Sequence, residues 1–422
     1  MNTSKISPIA FRGWDACPVR TLYVMRPKSQ RDQTITFNQE LGEIAKQEGF
    51  QVKELREKTV KACWPQDEFM INAAGSLITK NREHSHFNNE TLWQVVNDFK
   101  QKYGFKIKEA PMDFVVEGGN LFLGKKPDGE PFVLIGNRTE YTFGSDEYDK
   151  YRQVLSAAAA QDPFGMLPLL EKARLGDTAE LDKATRRFLE KTKMGNDILK
   201  QKTAATFGVE DKNVYVVPQM NVHLDLFMRP MGYPNILVND PEYALKNLND
   251  LGVELSKDPA TIEADFQYLR ELYESTERYT KRLHKKFGNT ANDVVNSLKS
   301  QGFNPIRIGA VYGEGFYEEL INGCQINFLN GIAHKRPDGQ LSYITNGTMR
   351  NDVDKRLEEL FEKQLNEKIP GGMAKVHFVY GKLDNIQHPH HKTWNSVSFD
   401  LMNSGGGVHC QVVEEPDFDV WA

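Results

Sequence analysis

Apolar residues along this chain gather into short runs, and between the runs they recur every three or four positions. The run VRTLYVM (Val19–Met25) has the length and residue types of a strand. A helical spacing follows over Phe37–Gln47, then a second strand over Gln51–Leu55. The pattern continues with a strand at Ser76–Thr79, a helix at Glu90–Lys102, and strands at Phe105–Lys108, Phe114–Val116 and Phe132–Ile135. Strand-like runs return at Val214–Val217, Ile306–Ile308, Ile326–Leu329, Leu341–Ile344, Val376–Val379 and Gly407–Val412. Strands alternating with helices predict an α/β fold. Two long tracts of helical spacing, about 146–202 and 241–299, interrupt the alternation and predict insertions that form a subdomain or lid. No low-complexity linker divides the chain, so residues 1–422 are expected to fold as one domain.

Composition narrows the function classes. An apolar fraction of 39% supports a real core, and charged residues at 26% match an ordinary soluble protein. Net charge is −5 and no basic block is long enough to track a phosphate backbone, which argues against nucleic acid as a partner. Residues 1–20 lack the apolar segment of a signal peptide, and no run approaches a membrane span, so a cytoplasmic protein without membrane contact is expected. Four cysteines, none in a C-x-x-C pair, make no disulfide framework.

One of those cysteines has unusual company. Gly405-Gly406-Gly407-Val408-His409-Cys410 brings a thiol out of a run with little side-chain bulk, where backbone can approach a ligand closely. A thiol so placed is a candidate nucleophile, which needs a base and a cradle. In Asn221-Val222-His223-Leu224-Asp225, residues two apart share one side of an extended chain, so His223 and Asp225 present an imidazole beside a carboxylate. In Trp64-Pro65-Gln66-Asp67, an aromatic face and a carboxylate can line a slot suited to a flat cation. In Glu117-Gly118-Gly119-Asn120, an acid ends an apolar strand and can orient a histidine.

The ordered set W-x-x-D, E-G-G-N, H-x-D and G-G-x-H-C resembles the guanidine-modifying enzymes of the pentein superfamily. Trp64-Pro65-Gln66-Asp67-Glu68 and Asn322-Gly323-Cys324 look like protein-arginine deiminase elements. Glu117-Gly118-Gly119 and the triple glycine look more like the free-arginine and agmatine deiminases. The resemblance implies a pentein fold, five ββαβ-like units around a pseudo-fivefold axis. It also implies that Asp67 and Asp225 grip a guanidinium while Cys410 attacks its carbon. His223 would then serve as acid and base, Glu117 would hold His223, and Trp64 would pack on the substrate stem. The implied reaction is arginine to citrulline plus ammonia through a thiouronium intermediate. Free arginine or agmatine deimination, amidino transfer and a non-catalytic binding role are the alternatives.

Arg138 and Arg229 are candidates to clamp the carboxylate of free arginine; Arg138 could instead read the backbone of a peptide, and either could be a salt-bridge residue. The protein-arginine deiminase flavour of the first motif favours an arginine in a peptide or protein as partner, with a small guanidino compound as the other possibility. No cofactor is expected. His388-Pro389-His390-His391 lacks a second cluster with zinc spacing and reads as a polar loop, as do His84 and His86. Calcium is the one metal the resemblance leaves open, although the sequence has no D-x-D-x-D-G loop.

Overall fold

The computed structural model describes residues 16–26, 34–57, 65–72, 75–81, 85, 87, 89–112, 114–115, 117–141, 193–313, 325–348, 352–381, 383–387, 392–398, 402 and 407–417. Among these, five three-stranded sheets share one connectivity. In each, an outer strand pairs antiparallel with a middle strand, and a helical crossover leads from the middle strand to a parallel third strand. Sheet I joins Val412–Pro416, Val19–Arg26 and Gln51–Glu57 through helix Thr34–Glu48. Sheet II joins Phe69–Ile71, Ser76–Thr79 and Lys106–Glu109 through helix Asn89–Asn97. Sheet III joins Leu121–Lys125, Pro131–Gly136 and Val214–Val217, with helix Lys193–Phe207 in its crossover. Sheet IV joins Met228–Pro230, Asn235–Asn239 and Asn304–Ile308. Sheet V joins Ile332–Lys335, Leu341–Asn346 and Lys375–Val379 through helix Asp352–Lys368.

The middle strands explain why the apolar runs lack a polar alternation. Successive side chains on a strand point to opposite faces, and here both faces are buried. Tyr23 and Met25 enter a core shared with sheet II, while Leu22 and Val24 enter one shared with sheet V. Val133 and Ile135 share a core with Met70 and Ile78, whereas Phe132 and Leu134 meet Met228, Ile236 and Val238. Leu237 and Ile308 complete the series against Ala333, Tyr343 and Val376. Each core thus joins one sheet to the next, and the fifth joins sheet V back to sheet I.

That last joint also carries a buried polar staple. Glu48, the final residue of helix Thr34–Glu48, accepts from Ser342 Oγ at 2.7 Å and lies 2.7 Å from His377 Nε2, both on sheet V. His334 accepts from the Val19 N–H at 3.1 Å, tying the first strand to the same sheet.

The second helical tract is the crossover of sheet IV. It forms helices Pro241–Leu255, Glu263–Phe287 and Ala291–Ser300. Leu248, Leu251, Leu269 and Leu272 lie in the core that sheets IV and V share, so the tract is continuous with the fold's own packing. Of the first tract, residues 146–192 lie outside the described residues. The strand expected over Gly407–Val412 is corrected: His409–Gln411 form a 3-10 turn, and the strand starts at Val412. The turn arises because the backbone of Val408, His409 and Cys410 bonds to the side chains of Asn346 and Asn330 instead of to a neighbouring strand.

Candidate active site

Each sheet sends one short turn into a common site, immediately before its outer strand. Helix Pro65–Glu68 carries Asp67 ahead of sheet II. Glu117 precedes the turn Gly118–Asn120 ahead of sheet III. His223 and Asp225 flank the start of the turn Leu224–Leu226 ahead of sheet IV. Asn330 lies two residues before sheet V, and His409 and Cys410 lie just before the outer strand of sheet I.

These turns pack closely because glycine allows it. A Cβ at Gly119 would stand 2.6 Å from His223 Nδ1 and 3.2 Å from Asp225 Oδ1, so both groups approach the Gly119 backbone closely. A Cβ at Gly407 would stand 2.6 Å from Asn346 Nδ2 and 2.7 Å from Asn330 Oδ1. No larger residue fits either position without displacing a side chain of the site.

The nucleophile candidate is enclosed by hydrogen-bonding groups. Cys410 is 3% exposed; its thiol donates to Asp225 Oδ2 at 3.5 Å, and Asn330 Nδ2 donates to Sγ at 3.2 Å. Asn330 Nδ2 also donates to Asp225 Oδ2 at 2.9 Å. The other oxygen of Asp225, Oδ1, is buried and has no hydrogen-bond partner. Burial, reinforced by the negative charges of Asp225 and Asp67, pushes the thiol well above its ordinary value, against the pull of the Asn330 bond.

His223 is built as a cation. Its Nε2 lies 2.7 Å from Glu117 Oε2, and its Nδ1 lies 4.0 Å from Asp67 Oδ1. Burial works against its charge, but Asp67, the bond to Glu117 and Asp225 outweigh burial and push the imidazole up to about 9. Glu117 takes a second cation on its other oxygen, the buried Lys80 Nζ at 2.8 Å. Burial opposes ionisation there too, yet His223 and Lys80 hold the carboxyl far below the usual carboxylate range. Asp67 differs. Burial pushes it up to about 6, Glu117 and Asp225 add to the rise, and His223 and the Gly119 N–H restrain it.

No family model matches this chain, and no curated protein sequence matches it. Solved structures do show likeness. The agmatine deiminase of C. jejuni covers 99% of both chains at 13% identity and a TM-score of 0.47. The amidinotransferase SxtG of Microseira wollei covers 97% of this chain and 98% of its own at 9% identity and a TM-score of 0.43. The cyanobacterial arginine dihydrolase ArgZ matches 94% of this chain over 40% of its own, at 12% identity and a TM-score of 0.41. At such values the reaction and its substrate rest on the side chains themselves.

Of the residues singled out in the sequence, Cys410, His223, Glu117, Asp67 and Asp225 come together. Trp64 lies outside the described residues, as do Asn322-Gly323-Cys324 and His388–His391. Arg138 joins none of the five. Its guanidinium donates to the Phe287 carbonyl at 3.0 Å and stacks 4.7 Å from that ring's centre, while its backbone N–H donates to Gln219. Arg229 is fully buried, with Nη2 3.5 Å from Glu414 Oε1 and its guanidinium over the Phe122 ring. It faces an internal carboxylate. Sequence reasoning missed Asn330, Lys80, Gln66 and the role of His409. His409 carried a signal in its place beside the thiol, and Gln66 in its place within Trp64-Pro65-Gln66-Asp67-Glu68; Asn330 and Lys80 lack any motif. Among the described residues no cluster of His, Cys, Asp and Glu is placed to hold a metal ion. No described helix is long and apolar enough to cross a membrane.

Proposed function

We propose that this protein modifies guanidino groups by nucleophilic catalysis at Cys410, hydrolysing a guanidinium to a ureido group and ammonia. The supporting observation is Asp225. Its Oδ1 is a buried acceptor with no partner on the carboxylate that receives the thiol, and it lies, like His223 Nδ1, close to the Gly119 backbone. A buried carboxylate oxygen without a donor is costly, and a planar cation with several N–H groups supplies one. Asp67, the second carboxylate of the cradle, has an oxygen 4.0 Å from His223 Nδ1.

The thiol starts neutral, held so by burial and by Asp225 and Asp67. A guanidinium seated against both carboxylates cancels their field, and the thiol proton is lost to solvent, where the ammonia released later carries it as ammonium. The thiolate adds to the guanidinium carbon. The His223 imidazolium gives its proton to the departing nitrogen, which leaves as ammonia, and a thiouronium remains on Cys410. The neutral imidazole then takes a proton from the attacking water. The C–S bond breaks, the ureido product departs, and the proton released from the adduct restores the thiol. Glu117, fixed by Lys80, holds the ring throughout.

The five sheets, with their shared connectivity and closed series of cores, support an arrangement as five blades around a central site, in keeping with the pentein resemblance. On substrate, Arg138 is engaged by Phe287 and Gln219 and does not supply the backbone-reading group a peptide would use. Arg229 faces Glu414 and does not supply a clamp for the carboxylate of free arginine either, so a small guanidino compound without a carboxylate, such as agmatine, is the preferred substrate. The test incubates the protein with arginine, agmatine and an arginine-rich protein, with and without an acceptor amine, and measures ureido groups, ammonia and guanidinylated amine. Ureido product and ammonia that vanish in Cys410→Ala support the reading. Turnover surviving that substitution, or none of the three products with any substrate, sinks it.

A further inference from the structure

His409 is fully buried beside Cys410, and the mechanism above does not use it. Its Nδ1–H donates to Asp225 Oδ2 at 2.8 Å, the same oxygen that receives Asn330 and the thiol. On its other side, Nε2 lies 2.8 Å from Gln66 Nε2 and 3.4 Å from Glu414 Oε1. The ring stacks on Phe122 at 5.8 Å between centres and 30° between planes. One imidazole therefore fastens three of the five turns together. It sits on the nucleophile's own turn, grips the cation-binding carboxylate of sheet IV, and reaches the residue next to Asp67 on sheet II.

From this geometry we infer that His409 is a positioning residue: it reserves Oδ2 of Asp225 and so presents Oδ1 as the single free acceptor to the guanidinium. The inference rests on the guanidine reading for its substrate, but the contacts stand without it. With Oδ2 occupied by His409 and Asn330, the carboxylate is held against rotation and cannot take two N–H groups of the cation with its two oxygens. Asp225 then offers one oxygen instead of two to the cation, which fixes how the guanidinium carbon stands over Sγ. A carboxylate bonded to His409 also bears less heavily on the thiol than a free one.

Three substitutions separate this role from simple packing. His409→Asn keeps a donor near the position of Nδ1, His409→Phe keeps the stacked ring without a donor, and His409→Gln moves the donor toward the Nε2 position. Two readouts are needed: kcat and KM for ureido formation from agmatine and arginine, and the pH midpoint for iodoacetamide alkylation of Cys410, followed by mass spectrometry of its peptide. Folding is checked by circular dichroism. In a folded Phe variant, kcat/KM falls by about 30-fold or more, the scale of one lost hydrogen bond to a charged group. Its alkylation midpoint moves upward, because the freed Asp225 charge acts on the thiol. The Asn variant recovers most of both, and Gln does not. Equal behaviour of folded Asn and Gln variants, or a folded Phe variant with wild-type kinetics and midpoint, overturns the assignment. If the Phe variant does not fold, the Asn–Gln comparison decides. If the wild-type protein turns over no guanidino compound while the midpoint shifts as stated, the guanidine reading fails and the positioning role of His409 stands.

Discussion

At the scale of single residues, the site is a set of charges whose burial and mutual distances decide their protonation. Asp67 carries the acid-sensitive part of the cradle, because burial pushes it up to about 6. Binding of agmatine to Cys410→Ala, measured by calorimetry, is therefore expected to weaken as pH falls through about 6. Asp67→Asn is expected to remove that dependence and to cost about 100-fold in affinity, the scale of one lost charge-assisted contact. His223 behaves oppositely. Its imidazole is raised from 6.5 to about 9, so the stability it contributes is fully present below 6.5 and is lost as pH rises through about 9. Glu117→Gln removes a charge that holds the proton, and the His223 ring titration followed by NMR is expected to move down toward 6.5. An unchanged titration would contradict the Glu117–His223 pairing. Asn330→Ala leaves Sγ and Asp225 Oδ2 without their shared donor. Loss of about tenfold or more in kcat is expected, with little change in substrate binding to a doubly substituted protein that also lacks Cys410.

Among elements, the recurring fact is that a turn before an outer strand delivers each functional group. Four of the turns were legible as candidates: Asp67 follows an aromatic residue and a proline, Glu117 precedes Gly-Gly, His223 and Asp225 are two residues apart, and Cys410 closely follows three glycines. The fifth turn was not, since Asn330 sits in an apolar stretch and an asparagine there has no motif of its own. Lys80 was hidden for another reason: only the packing of sheet II against sheet III sets it against Glu117, a contact between residues 37 apart. Several outer strands were missed too. Phe69–Ile71 and Met228–Pro230 have three residues each, too short to show a period. The helical tract over 241–299 was legible as helix but not as a support for the site. Tyr279 accepts from Asn221 Nδ2 at 2.7 Å, and Asn289 donates to the Gln219 carbonyl at 2.9 Å, so helix Glu263–Phe287 and the segment after it brace the loop that bears His223. Tyr279→Phe is expected to lower kcat by about fivefold, one neutral hydrogen bond's worth, while the melting temperature stays nearly constant. A large loss of stability with unchanged kcat would show that the contact serves the helix alone.

For the molecule as a whole, the joint between sheets V and I closes the series of cores, and Glu48 is its centre. Burial opposes its ionisation, but the bonds from His377 and Ser342 hold it below its ordinary 4.5. Burial also holds His377 and His334 below 6.5. Both signs agree: protonating the histidines costs stability as pH falls below 6.5, and the Glu48 contribution is lost as pH falls below 4.5. Glu48→Ala strands His377, Ser342 and Arg336, whose Nε lies 3.6 Å from Glu48 Oε2, near a cavity and is expected to cost about 3 kcal/mol in urea unfolding; a cost below about 1 kcal/mol would mean the sheets close without it. The same closure has a consequence for how the protein comes into being. Strand Val412–Pro416 pairs with Val19–Arg26, and Tyr23 donates to Glu415 across 392 residues of chain. A polypeptide emerging from a ribosome acquires Asp67, Glu117, His223, Asp225 and Asn330 before it acquires Cys410. Of these groups the thiol is therefore the last to be made, and none of the earlier ones can act with it before the closing strand Val412–Pro416 has followed.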